Sequence, residues 1–229
     1  MRVPQASAHH SARSRIAFYV ARRLHIAAYL SFAKDLRTCG IEVRQAGRAW
    51  EDSEDDVQIA LADRDAADAA LDLAAQTARS SLAGRSAHAV DEEPYTLIFE
   101  QGVGYYTAAP LGEEEARYGE LIERLAANLP ASDKVRSDTT KAVKAGLTAF
   151  RDASKALAKA TTAKSLLATK LAHVTHKWER QMDKTYGQLI SDLGKPAAEQ
   201  FFPKVRSSQS AHEDPAPSVP AEESKKPSE

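Results

Sequence analysis

The sequence predicts an all-α protein, an elongated helical bundle or antiparallel coiled coil of about four helices, with one short β-hairpin-like insertion near 95–109. Three observations carry this expectation. Ten prolines are present, yet none falls between Gln5 and Glu93 or between Ala131 and Lys195, so two long stretches lack the residue that breaks a helix interior. Both are dense in Ala, Leu, Lys, Arg, Asp and Glu, the composition of long paired helices. Within them the apolar residues recur at steps of three and four.

With 229 residues, 43% of them hydrophobic, the chain is long enough for one main domain with a real core. Aromatics make up only 7%, so the core is thin and an elongated shape follows more naturally than a sphere. Cys39 is the single cysteine, which excludes an intramolecular disulfide and a cysteine-based zinc site and fits a reducing, cytoplasmic compartment. Arg22, Arg23 and His25 cut short the apolar run that begins at Ile16, leaving it far below the length of a secretory signal or a membrane span.

Residues 1–13 read as a flexible lead, 14–203 as the helical domain, and 204–229, rich in Ser, Pro and charge, as a disordered tail. The first helix is expected over 14–37, from the spacing of Ile16, Val20, Leu24, Ala27 and Leu30, with Gly40 as its terminator. The second is expected from 41 or 42 to 82, ended by Gly84. In it Val43, Trp50, Val57, Leu71 and Ala78 share one seven-residue repeat, with Arg64 as the exception, and Ala46, Ala60, Ala67 and Ala74 form a narrow seam of small residues. Segment 94–110 concentrates aromatic and β-branched residues around Gly102-Val103-Gly104, which suggests the hairpin. A third helix over 113–128 starts with three glutamates at its positive dipole end and is bounded by Pro110 and Pro130. The fourth, over 132–193, ends at Gly194 and Pro196 and spans on the order of 90 Å. Its stripe runs from Val143, Leu147 and Phe150 to Trp178, Met182 and Leu189, and fades between 157 and 166. A short turn over 197–202 presents Phe201 and Phe202.

Charge segregates along the chain although the net is −1. Residues 1–37 carry +6, 41–83 carry −6, 91–123 carry −8 and 133–184 carry +7. The acidic second helix and the basic fourth are therefore expected to pair, with flanking charges fixing register. Because the partner acids are built in, and no exposed aromatics are interleaved for base stacking, specific nucleic-acid binding is not expected.

No catalytic, cofactor-binding or metal residue is assigned from the sequence. His173, His176 and Glu179 stand three apart on one helix, but the chain has no Glu-x-x-His pair to complete a bundle metal site. Gly102-Val103-Gly104 lacks the Gly-Lys-Ser/Thr continuation of a phosphate cradle. The acidic run 51–56 lacks the central glycine of a calcium loop and reads as a solvated helix face. Cys39 reads as a small apolar residue near a helix end, and Trp50 and Trp178 as core anchors.

What remains is a non-enzymatic structural or interaction protein, which self-associates as a homo-oligomer or docks a protein partner. The alternative is a membrane-active helical protein using the apolar hairpin 95–106 or the first basic amphipathic helix. A third class, an enzyme or ligand carrier, requires a polar pocket with a strongly perturbed acid or histidine that forms only in three dimensions.

Overall fold

The computed structural model describes residues 9–203; the expected tail and residues 1–8 of the expected lead lie outside them. The described residues fold as seven helices and no strand: α1 (His10–Ile26), α2 (Leu30–Ala83), α3 (Tyr95–Ile98), α4 (Gly104–Thr107), α5 (Glu114–Asn128), α6 (Lys134–Leu193) and α7 (Lys195–Glu199). The frame is a long antiparallel hairpin of α2 and α6. Its register follows from three contacts, in which Leu71 lies against Gly146, Glu54 pairs with Lys164 and Glu42 pairs with Lys177. Both heptad seams therefore close within one chain. The expected pairing of the acidic helix with the basic one is seen in the last two of these contacts, and Ala46, Ala60, Ala67 and Ala74 are all buried.

The first helical boundary differs from expectation. α1 begins at His10, inside the expected lead, and stops at Ile26, while α2 runs unbroken through Gly40. The break is a Schellman turn: the Tyr29 N–H donates to Leu24 O at 2.9 Å and the Ala28 N–H to His25 O at 3.1 Å, with Ala28 left-handed at φ 65°. An alanine occupies the position where glycine is usual, so the stop is silent in the sequence. The glycines instead serve close approach. A Cβ on Gly40 would lie 2.8 Å from the Ala17 Cβ, and one on Gly47 would lie 2.1 Å from the His10 ring. These two contacts let α1 fold back antiparallel along α2. Left-handed backbone costs alanine about 1–2 kcal/mol, and glycine's greater freedom when unfolded takes back about 0.5–1 kcal/mol. Ala28→Gly is therefore expected to gain about 0.5–1 kcal/mol, read as a higher urea midpoint at unchanged slope.

The expected hairpin near 95–109 is overturned. Its residues form α3 and α4, joined through Gly102 at φ 75°, and the Tyr106 hydroxyl donates to Ile98 O at 3.0 Å. Ile98, Phe99 and Tyr106 are buried against α2 and α5, in a core that also holds Val143, Leu147 and Phe150 of α6. The apolar density that resembled a strand pair is a lid whose side chains fill one end of the molecule.

Two separate cores result. One joins Leu71, Leu82, Tyr106, Tyr118, Leu121 and Phe150, among others, at the α5 end. The other joins Leu24, Leu36, Val43, Trp178, Met182 and Leu189 at the α1 end, where Ala198 and Phe202 close it around α7. Between Phe150 and Trp178 no residue of α6 is fully buried. That stretch is the waist where the apolar stripe fades.

Candidate docking groove

α1 and the start of α2 carry two facing stripes. Phe18, Ala21, Arg22 and His25 step by three and four along α1, and Leu30, Ala33, Lys34 and Arg37 do so along α2, with Arg44 two turns on. Once the Ala28 turn folds the helices together, these stripes line one groove of about 770 Å³. Its floor is apolar and its rim is basic, with the cations Arg22, Lys34, Arg37 and Arg44, and His25 beside them, contributed by two helices and no acid among the lining residues. Among the described residues none of these five takes part in an ion pair, whereas Lys164, Lys177, Arg85 and Arg151 each hold a carboxylate. The Arg44 guanidinium sits 5.0 Å from the Phe18 ring centroid, a cation–π contact that orients it along the wall. Leu30 is 59% exposed and Ile26, next to His25, is 69% exposed. Clustered cations over a low-dielectric floor concentrate positive potential and draw in anionic partners.

A second polar cluster lies in the α5-end core. The three glutamates that open α5 diverge: Glu113 bonds Arg117, Glu115 bonds Arg151 of α6 at 2.7 Å, and Glu114 turns inward, 3% exposed. Burial first, then the charge of Asp68 and a hydrogen bond with it, pushes Glu114 up to about 7, with Arg64 opposing. Asp68 is raised as well, by burial and by Asp72. Glu114 therefore keeps its proton to higher pH than an exposed glutamate does. Beside them the buried Tyr118 donates its hydroxyl proton to Asp72 at 2.7 Å, and burial with that bond raises its pKa. Tyr106 is pushed up to about 12 by burial. This is the perturbed acid that an enzyme reading asks for. Its carboxyl, however, is enclosed by α2 and α5, and neither the groove above nor the smaller ones at Trp50 and at Lys141 reaches it.

The residues singled out in the sequence fall as follows. Trp178 is fully buried, but Trp50 is half-buried and edges a small groove with Ala168 and Leu171. His176 meets Glu179 at 3.1 Å on the surface, and His173 stays apart. Cys39 is buried in the interior of α2 rather than near a helix end, and burial pushes its thiol up. In the acidic run, Glu51 faces His9 and His10 while Glu54 pairs with Lys164, and most of the rest is solvated. No described helix is long and apolar enough to cross a membrane. The basic groove itself was missed. Its signal, cations and apolar residues alternating at helical spacing on both sides of residues 27–29, is readable only once the turn is known. Comparison with known protein families, with curated proteins and with solved structures finds no match for this chain.

Proposed function

We propose that this chain is a non-enzymatic interaction module, a coiled-coil hairpin that holds a basic groove at one end and receives there an acidic, amphipathic segment of a protein partner. The observation that carries this reading is the set of four cations, Arg22, Lys34, Arg37 and Arg44, that line one apolar floor with His25 beside them and no acid among the lining residues. An acidic segment with apolar residues on one face complements both features, the charges guiding encounter and the floor holding the bound state. The internal closure of both heptad seams supports docking of a partner over self-association. Burial of Ala17, Val20 and Leu24 against α2 speaks against α1 inserting into a membrane, and burial of Ile98, Phe99 and Tyr106 speaks against the insertion 95–106 as a membrane tongue. A single buried cysteine fits a reducing, cytoplasmic setting.

The test is fluorescence anisotropy with a labelled 20-residue Glu/Leu amphipathic peptide. Binding is expected to weaken with salt, as exposed charges are screened over about 8–10 Å near physiological ionic strength. It is expected to fall by about tenfold or more in Arg37→Ala/Arg44→Ala, with helicity unchanged. Equal binding by the variant removes the groove as the docking site. Competition by phosphatidylserine vesicles, but not by unlabelled peptide, assigns the groove to a lipid surface and contradicts the proposal. Residues 207–224 carry four acids and no Lys or Arg. Binding seen only after Glu213, Asp214, Glu222 and Glu223 are neutralised identifies that segment as the occupant.

A further inference from the structure

Where α1 begins, two adjacent histidines meet a carboxylate from the middle of α2. His9 is the N-cap of α1, His10 its first residue, and Glu51 follows 42 residues after His9. Their donor atoms all lie within 4.8 Å of one another. His9 Nε2 stands 3.0 Å from Glu51 Oε1 and His10 Nε2 stands 3.5 Å from Oε2. Zinc bonds of about 2.0–2.1 Å in tetrahedral geometry separate donors by about 3.3 Å, and each imidazole nitrogen lies near that spacing from a different oxygen of Glu51.

The arrangement is held from behind. The His10 ring lies on the bare Gly47 backbone, where a Cβ would be 2.1 Å from two ring carbons, and is 6% exposed. The His9 ring stacks on it with centroids 4.1 Å apart. Behind His9, Nδ1 lies 2.8 Å from Ser11 Oγ and accepts from the Ser11 N–H at 3.4 Å.

We propose that His9, His10 and Glu51 form a site for one borderline divalent cation, zinc or its neighbours cobalt and nickel, clasping the start of α1 to α2 with a fourth position left for water. Two imidazole nitrogens and one carboxylate oxygen suit these ions, while calcium and magnesium prefer oxygen ligands throughout. On binding, His9 ligates through Nε2 with its proton on Nδ1, which gives up the bond it accepts from the Ser11 N–H and donates to Ser11 Oγ instead. Ser11 becomes the outer partner that orients the ligating ring. The site is separate from the basic groove and stands or falls independently of it.

The experiment titrates cobalt(II) into the untagged full-length chain and reads its visible d–d absorption. One ion per chain is expected, displaced by zinc and retained in excess magnesium or calcium, and zinc is expected to raise Tm. His9→Ala and Glu51→Gln change half-exposed side chains and should keep their far-ultraviolet circular dichroism while losing the cobalt signal and the zinc-dependent Tm rise. Ser11→Ala should weaken binding about tenfold without abolishing it. Absence of cobalt binding by the wild-type chain overturns the proposal. So does equal binding by His9→Ala and Glu51→Gln, which would move the ion to other histidines such as His176.

Discussion

Trp178→Ala is expected to lower stability by about 3–5 kcal/mol, the cost of deleting a large aromatic side chain from a core that only partly collapses around the space. Folded domains hold about 5–15 kcal/mol in all, so this one change removes much of the margin. Trp178 has no exposure and sits with Leu36, Val43 and Met182 where α1, α2 and α6 meet. Its indole N–H has no hydrogen-bond partner there, so Trp178→Phe, which keeps an aromatic ring and removes the orphan donor, should cost far less. The loss should also be local. Because this core is separate from the one around Tyr118, hydrogen exchange in Trp178→Ala should rise in α1 and the C-terminal half of α6 while α5 keeps its protection. Uniform loss of protection would mean that the waist transmits unfolding and that the two ends form one cooperative unit.

Glu114→Gln should stabilise the protein above neutral pH and flatten its pH dependence. The wild-type carboxyl titrates near its ordinary value of 4.5 when unfolded and at about 7 when folded. Below the first value both states carry the proton and above the second neither does. Between them the folded state retains a proton that the unfolded state has released, so stability falls as pH rises from about 4.5 to about 7, then levels. Each tenfold difference in proton affinity between the two states corresponds to about 1.4 kcal/mol, so the fall is on the order of 3 kcal/mol at most. Asp68, itself raised, adds in the same direction; Arg64 moderates it, and Asp72, which accepts from the Tyr118 hydroxyl, completes the charged surroundings. Glutamine keeps a donor toward Asp68 without the titration. Urea unfolding of both proteins at pH 5 and pH 8 reads the effect, and parallel losses in the two would show that Glu114 is ionised throughout.

The long helices were legible because proline and alternating charge leave unambiguous marks. α6 starts after Pro130 and stops at Gly194, α5 lies between Pro110 and Pro130, and the alanine seam of α2 is buried as its repeat implies. Local signals misled where tertiary packing decides. Gly40 looks like a helix breaker, yet its missing side chain makes room for Ala17, as that of Gly47 does for His10, and the true stop uses an alanine. Tyr95, Ile98, Phe99 and Tyr106 look like strand residues because a lid over a core needs the same bulky apolar side chains as a sheet. The candidate sites were hidden for a related reason. The groove and the His9, His10 and Glu51 cluster each depend on α1 folding back along α2, which brings residues tens of positions apart into contact. Only then do Arg22, Lys34 and Arg37 come together as a surface rather than a count.

Everything at the α1 end rests on the two long helices closing on each other within one chain, which leaves the groove open to a partner. Light scattering across a wide range of concentration tests this most directly. The 24.9 kDa mass of a single chain is expected at every concentration, with no salt dependence. A stable mass of twice that value would place the α2 and α6 seams between chains and contradict it.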